Sequence, residues 1–108
     1  MFENWADDFS APLRRVVDPP MPVLVELSAA IPSASAFSPR NEISMRAKSA
    51  GLDTTSTAPG LLYAWARCTN GSWLGFVHFA IPAGGRRGHV EARQWCPAHS
   101  LSKAPGNL

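Results

Sequence analysis

The side chains that could hold a metal ion in this sequence are two cysteines and three histidines. Only Pro97 and Ala98 separate Cys96 from His99, a spacing at which both side chains can ligate one zinc ion. Cys68, together with His78 or His89, would complete a set of two cysteines and two histidines. The hairpin register derived below places Cys68 and His78 on opposite faces of a sheet, however, which one ion does not bridge. A zinc-stabilised module is therefore the third hypothesis, after two kinds of binding protein, and no cofactor is predicted.

Signatures of catalysis are missing from the better patterned half of the chain. Glu91 is the only acid after residue 59, so this half has no pair of carboxylates for acid–base work. Segment 83–88 is rich in glycine and arginine but lacks the Lys-Ser/Thr ending of a phosphate-binding loop. No local signature marks either cysteine as an activated nucleophile. The sequence predicts a protein that is not an enzyme.

The charge is divided unevenly along the chain. Residues 1–59 carry five basic side chains against seven acids, whereas residues 60–108 carry five basic side chains against one acid. A basic half suits an anionic partner, and arginines in a glycine-flanked loop can reach phosphates. Nucleic-acid binding by a small barrel is thus one hypothesis, with four candidate residues: Arg67, Arg86, Arg87 and Arg93.

A β-hairpin is the element that would position these side chains. Segments 61–69 and 72–81 are apolar and aromatic, and they flank Asn70-Gly71, which is typical of a two-residue loop with positive φ at both positions. One face of such a hairpin is apolar and predicts the core, and the other face combines aromatic residues with Arg and His. The predicted cross-strand pairs on that second face are Arg67 with Leu74, Trp65 with Phe76, and Tyr63 with His78.

The mixed aromatic face favours a protein partner over nucleic acid. Tyr, Trp and Arg are the residues most often found at interface hot spots. Near the N-terminus, Trp5 recurs with Phe9 and Leu13 at helical spacing, so this stripe could dock on a partner or fold back onto the sheet. The sequence predicts a small regulatory or adaptor protein of bacterial or phage type. Its predicted partner-binding residues are Tyr63, Trp65, Arg67, Phe76, His78 and Trp5.

The remaining elements follow from prolines and glycines. Residues 1–59 are predicted to be a proline-punctuated arm with a short strand at 23–27, a linker at 28–36 and a polar tether at 52–58. Within this arm, a helix at about 39–50 would be capped by Ser38 and closed by a left-handed Gly51. Residues 60–102 are predicted to be a small β domain with a third strand at 89–95, and residues 103–108 a tail.

The end of this β domain resembles the end of SH3-like small barrels. There a strand with an aromatic residue runs into a turn with proline and small polar residues, and then into a buried aliphatic residue, as in the segment from Trp95 through Pro97 to Leu101. The resemblance covers residues 60–101 and implies a small barrel that binds a ligand. The acidic loop and paired tryptophans of signalling SH3 domains are missing, so it implies no functional residues. The predicted fold class is mostly β, either an antiparallel meander or an SH3-like barrel.

The location expected from the sequence is the cytoplasm. The first 20 residues hold four acids and no apolar stretch of the kind that a secretion signal needs. In the cytoplasm the two cysteines are expected to be free thiols, and no membrane partner is predicted. The sequence leaves the oligomeric state open.

Overall fold

A computed structural model describes residues 1–6, 12–32 and 43–105, which form a curled antiparallel sheet of five strands and a few short helices. The strand order is β4-β3-β2-β1-β5, so the predicted mostly-β fold is confirmed. The strands are β1 (Arg14–Glu26), β2 (Thr57–Arg67), β3 (Trp73–Pro82), β4 (His89–Pro97) and β5 (Leu101–Lys103). Helix α1 spans Leu27–Ala30, helix α2 spans Met45–Ala50, and short 3-10 helices span Gly84–Arg86 and Ala98–Ser100.

Strand β1 corrects the predicted N-terminal arm. The sequence predicts a helical stripe that includes Leu13 and a strand only at 23–27, but β1 is continuous from Arg14 to Glu26 and lies between β2 and β5. The prediction excluded a strand at the prolines, because proline lacks the backbone N–H that donates a hydrogen bond to a neighbouring strand. In the structure Pro19 and Pro20 fall where the pairing of β1 with β2 is interrupted, between Val16 and Met21. The chain therefore keeps these prolines within a strand by placing them in a bulge.

The predicted helix at 39–50 is shorter than its sequence signals indicate. It begins at Met45, and the hydroxyl of Ser44 caps it by accepting a hydrogen bond of 3.1 Å from the backbone N–H of Ala47. Gly51 ends the helix with a φ of −68°, so the predicted left-handed closure is wrong. The predicted cap at position 38 lies outside the described residues.

Segment 52–58 is not a loose tether, contrary to the prediction. Leu52 forms a bridge with Ala83, and the backbone N–H of Asp53 donates to the carbonyl of Pro82 at 2.7 Å. The strand β2 already begins at Thr57. Backbone hydrogen bonds hold this segment against the end of β3, although its mostly polar side chains did not predict that it would pack there.

The hairpin between β2 and β3 has a three-residue loop instead of the predicted two-residue loop. The backbone N–H of Cys68 donates to the carbonyl of Ser72 at 2.8 Å, and that of Gly71 donates to the carbonyl of Cys68 at 2.9 Å. Gly71 has a φ of 88°, whereas Asn70 is not among the residues with positive φ. This is a turn followed by one left-handed glycine, the arrangement typical of three-residue hairpin loops. The register is consequently one position away from the prediction.

The slip in register and a bulge at Tyr63 redistribute the side chains between the two faces. Near the loop, Arg67 pairs with Trp73 and Trp65 with Gly75, not with Leu74 and Phe76 as predicted. Beyond the bulge the register shifts again, so that His78 pairs with a leucine at position 61 and Tyr63 has no partner in the register. The predicted face of six residues therefore does not exist as one surface.

The core lies on the concave, inner face of the sheet. Alternate residues of β3 at positions 75, 77, 79 and 81 are buried there, as the sequence predicts for its apolar face. The buried hydrophobic residues packed into one cluster are Val23, Val25, Leu27, Ala30, Ala58, Leu62, Val77, Phe79, Ile81 and Cys96. Trp65 and Leu101 are partly buried and pack against this cluster, so the inner face continues from the core toward the hairpin end.

Candidate functional site

An apolar groove of about 420 Å³ lies at the hairpin end of the inner face. Its walls come from four separate parts of the chain. Trp65 lies near the end of β2 and Trp73 begins β3, while Arg15 lies near the start of β1. Pro12, just before β1, and Ala98, in the 3-10 helix before β5, complete the lining.

Gly75 is the reason that the Trp65 ring can lie along the sheet. A Cβ atom at Gly75 would come within 3.2 Å of Cζ3 of Trp65, 2.9 Å of Cδ1 of Leu62 and 2.7 Å of Cδ1 of Leu101. Any other residue would therefore displace the indole or the two leucines. The absence of a side chain at position 75 lets Trp65 pack against the core and still present the rest of its ring to the groove.

Two arginines give the groove a positive rim. Arg15 is directly opposite Trp65 in the pairing of β1 with β2, and its side chain is exposed. Arg67 lies over the ring of Trp73, with its Cζ atom 5.6 Å from the ring centroid. The Nε–H of Arg67 also donates to the carbonyl of Gly71 at 3.2 Å, which holds the guanidinium at the hairpin end. Neither arginine forms an ion pair within the described part of the chain, so their charge is available to an anionic group.

A second aromatic group lies on the convex, outer face and is covered by the N-terminus. Phe76 and Trp95 are paired across β3 and β4, with ring centroids 5.1 Å apart. The ring of Phe2 lies 6.1 Å from that of Trp95 and 5.6 Å from that of Trp5. Residues 1–6 thus fold back onto the sheet, which is one of the two placements expected for Trp5.

Arg14 holds residues 1–6 against the outer face of the sheet. Its guanidinium donates to the carbonyl of Trp5 and lies 5.8 Å from the ring centroids of both Phe2 and Trp5. Arg14 and Arg15 are adjacent in β1 and consequently point to opposite faces. One arginine stabilises the covered aromatic group, and the other lines the open groove.

The predicted site residues are thus divided among different places. Trp65 lines the inner groove and Arg67 lies over the ring of Trp73 beside it, whereas Phe76 and Trp5 belong to the covered outer group. His78 is on the outer face, where its Nε2 is 3.8 Å from Oε1 of Glu91. Four residues that line the groove were not predicted from the sequence as site residues: Trp73, Arg15, Pro12 and Ala98.

The signal that could have found these residues was in the turn chemistry. Trp73 alternates with Gly75 and Val77 and lies on their face with either loop length, but only the three-residue loop brings Arg67 of β2 to the same face, opposite it. Arg15 could be placed only once β1 was recognised as a sheet strand, since its partner is Trp65.

The four arginines of the nucleic-acid hypothesis do not form one patch. Arg67 is at the start of the hairpin loop, whereas Arg86 and Arg87 follow the opposite end of β3. A strand of this length separates its ends by roughly 30 Å. Arg93 lies between them on the outer face, opposite His78.

The two thiols have different surroundings, and neither belongs to a metal-ligating cluster among the described residues. Cys96 is fully buried beneath the sheet, and this burial raises the pKa of its thiol. Its sulfur makes only a weak contact of 3.8 Å with the carbonyl of Gln94, whereas Cys68 is partly exposed at the hairpin loop. Across residues 1–6, 12–32 and 43–105, no three His, Cys, Asp or Glu side chains are grouped so that they could hold a metal.

Comparison of the chain with protein-family models, with curated proteins and with solved structures finds no match. Among the described residues, no helix has the length and apolar character that a membrane crossing requires.

Proposed function

We propose that this protein is a non-enzymatic binding module that takes an extended segment of a partner protein into the groove between Trp65 and Trp73 and thereby regulates that partner. The observation that carries this proposal is an open apolar groove with two indole rings at the end of a sheet whose other aromatic group is covered. Trp is the residue type most enriched at hot spots, and concave apolar sites with a few polar groups are typical ligand sites.

The charges at the rim indicate what the segment contains. The floor is apolar, so it fits an aliphatic or aromatic side chain, and two guanidinium groups adjoin it, because Arg15 is opposite Trp65 and Arg67 lies over the ring of Trp73. Carboxylates next to that apolar side chain would pair with the guanidinium groups. We therefore propose an acidic segment with a central apolar residue as the ligand.

Nucleic acid fits the structure less well as a partner. Stacking on indole rings would suit single-stranded bases, but a backbone track needs several cations along one path. Of the four arginines in that hypothesis only Arg67 lies at the groove, where Arg15 joins it, and the Arg86 loop is at the far end of β3. The SH3-like resemblance of residues 60–101 stays a prediction, and the proposal does not depend on it.

A library of random peptides displayed on phage and selected on the full chain tests this function. We expect enriched peptides in which Asp or Glu flanks an apolar residue. Calorimetry with synthetic copies of these peptides should show at least about tenfold weaker binding to Trp73→Ala, which corresponds to about 1.4 kcal/mol. Trp95→Phe is the matched control, because it changes a tryptophan on the covered face, and it should bind the peptides like the wild type.

Two results would overturn the proposal. One is peptide binding that is equally tight in Trp73→Ala, which would place the ligand elsewhere. The other is tighter binding of single-stranded oligothymidine than of any selected peptide, with loss of that binding in Arg86→Ala/Arg87→Ala. The second result would replace the protein partner by nucleic acid.

A further inference from the structure

The two edges of the sheet are protected to different degrees. At one edge, β5 covers only Val23–Val25 of β1, and the uncovered part of β1 contains Pro19 and Pro20. Prolines lack the N–H group through which another strand would pair, so they prevent a strand of another chain from adding to this edge. The β1 edge is therefore partly covered and partly blocked.

The other edge, formed by β4, has neither protection in its first half, whereas nearer its end the side-chain amide of Gln94 donates to the carbonyl of Ala30 in α1 at 3.2 Å. β4 spans His89–Pro97, and before its last residue its sequence has no proline. It pairs with β3 on one side, and within the described ranges no strand pairs with its other side. Nor do the described backbone hydrogen bonds outside the sheet involve residues 89–97. Most of its first half is exposed, including Val90 at 51%.

The charges on β4 are arranged so that the strand is complementary to itself. Glu91 and Arg93 are both exposed, and they are two residues apart, so they point to the same outer face. The side chain of Glu91 is 68% exposed, and the one ion-pair contact that it makes with a described residue is that with His78, at 3.8 Å. Arg93 forms no ion pair with any residue in the described part of the chain.

We propose that two copies of this chain associate through their β4 edges, in antiparallel register about a two-fold axis at Ala92. In this register Glu91 of each copy is directly opposite Arg93 of the other, which gives two identical ion pairs on the outer face. Ala92 faces its own copy on the axis, where a small side chain permits close approach. The two five-stranded sheets become one continuous sheet.

Charge also excludes the neighbouring registers. An axis at Arg93 would place the two arginines opposite each other, and an axis at Glu91 would do the same with the two glutamates. Like charges directly opposite destabilise a strand pair. The edge therefore specifies its own register, which chance exposure of an edge strand would not do.

The test is sedimentation velocity of the full chain from micromolar to millimolar concentration. We expect a reversible dimer in the wild type. Glu91→Arg creates two Arg–Arg contacts and Arg93→Glu creates two Glu–Glu contacts, so each variant alone should be monomeric over the same range. An equimolar mixture of the two variants should form a heterodimer, because both positions of one copy are then basic and both positions of the other are acidic. The double variant Glu91→Arg/Arg93→Glu should again form a homodimer.

Each outcome decides the proposal. A wild type that is monomeric at millimolar concentration overturns it, as does a dimer that persists in both single variants. Failure of the two variants to associate when mixed would show that charge pairing between these residues does not hold the copies together. Circular dichroism serves as the control that every variant is folded. Trp73→Ala should still dimerise, which separates this inference from the groove proposal.

Discussion

Two aromatic groups lie on opposite faces of one small sheet, and within residues 1–6, 12–32 and 43–105 only one of them is covered by another segment. On the outer face, Phe76 and Trp95 lie under the N-terminal residues Phe2 and Trp5. On the inner face, Trp65 and Trp73 line an open groove. The same residue types therefore stabilise the fold in one place and are available for binding in the other. Composition alone does not distinguish these two roles, because what decides them is which segment lies above each ring.

The largest effect is expected from two adjacent leucines of β2 whose side chains lie on opposite faces of the sheet. Leu62 is fully buried on the inner face, whereas Leu61 is 39% exposed on the outer face. Leu62→Ala should lower the free energy of unfolding by about 2–5 kcal/mol, because it opens a cavity in the core. Leu61→Ala should cost less than about 1 kcal/mol. Urea denaturation measures both, and equal losses would contradict the register beyond the bulge at Tyr63.

A second comparison removes one tryptophan from each face. Trp95→Ala loses contacts with Phe76 and Phe2 and should cost about 2 kcal/mol of unfolding free energy. Trp73→Ala should cost less than about 1 kcal/mol, because the ring faces the groove and lies against the exposed guanidinium of Arg67. Thermal denaturation of the two variants measures the difference. The reverse order would mean that the inner group is the structural one.

A smaller effect on stability is expected from Arg14 and Arg15, which are adjacent in β1 and point to opposite faces of the sheet. Arg14→Ala removes a hydrogen bond to the carbonyl of Trp5 and two contacts with aromatic rings, so it should cost about 1 kcal/mol and loosen residues 1–6. Arg15→Ala should leave stability within about 0.5 kcal/mol and weaken peptide binding instead. Denaturation and calorimetry on both variants test this division. Weaker peptide binding in Arg14→Ala alone would contradict it.

The two thiols provide a probe that leaves the fold unchanged. Burial of Cys96 raises its pKa and keeps the thiol protonated, and the thiolate is the form that reacts with iodoacetamide. Cys68 is partly exposed at the hairpin loop and should therefore be alkylated first in the native protein. Above the ordinary thiol pKa, Cys96 ionises more readily in the unfolded chain than in the folded protein. The free energy of unfolding therefore falls as the pH rises through this range. Mass spectrometry of digested, pulse-labelled protein gives the order, and equal labelling would show that the inner face opens.

For β2, β3 and β4 the sequence was sufficient to predict the strands and insufficient to predict their register. Alternation of apolar residues predicted β3 and its buried positions, because a half-buried strand imposes that period. β4 was predicted as far as Trp95 for the same reason. Asn70-Gly71 correctly located the turn, but two loop lengths share this dipeptide and differ by one position in register. That single position moved Trp65 and Arg67 to the inner face.

The N-terminal half was predicted less well because its signals compete with each other. Prolines 19, 20 and 22 argue against a strand, yet β1 accommodates them in a bulge and beside a short edge strand. The bulge at Tyr63 leaves no trace in the sequence, since it depends on how β2 meets β3. The groove depends on the three-residue loop and on the position of β1 beside β2, so it could not be recognised before the sheet was assembled.

The most direct measurement is fluorine NMR of the protein labelled with 5-fluorotryptophan, which gives one signal for each of its four tryptophans. Assignment follows from single Trp→Phe variants, and the protein is then titrated with a peptide selected from the displayed library. The account predicts that the signals of Trp65 and Trp73 shift together with the peptide concentration, while those of Trp5 and Trp95 stay in place. Shifts confined to Trp5 and Trp95 would contradict it, and would show that the covered outer face is the one that opens to a partner.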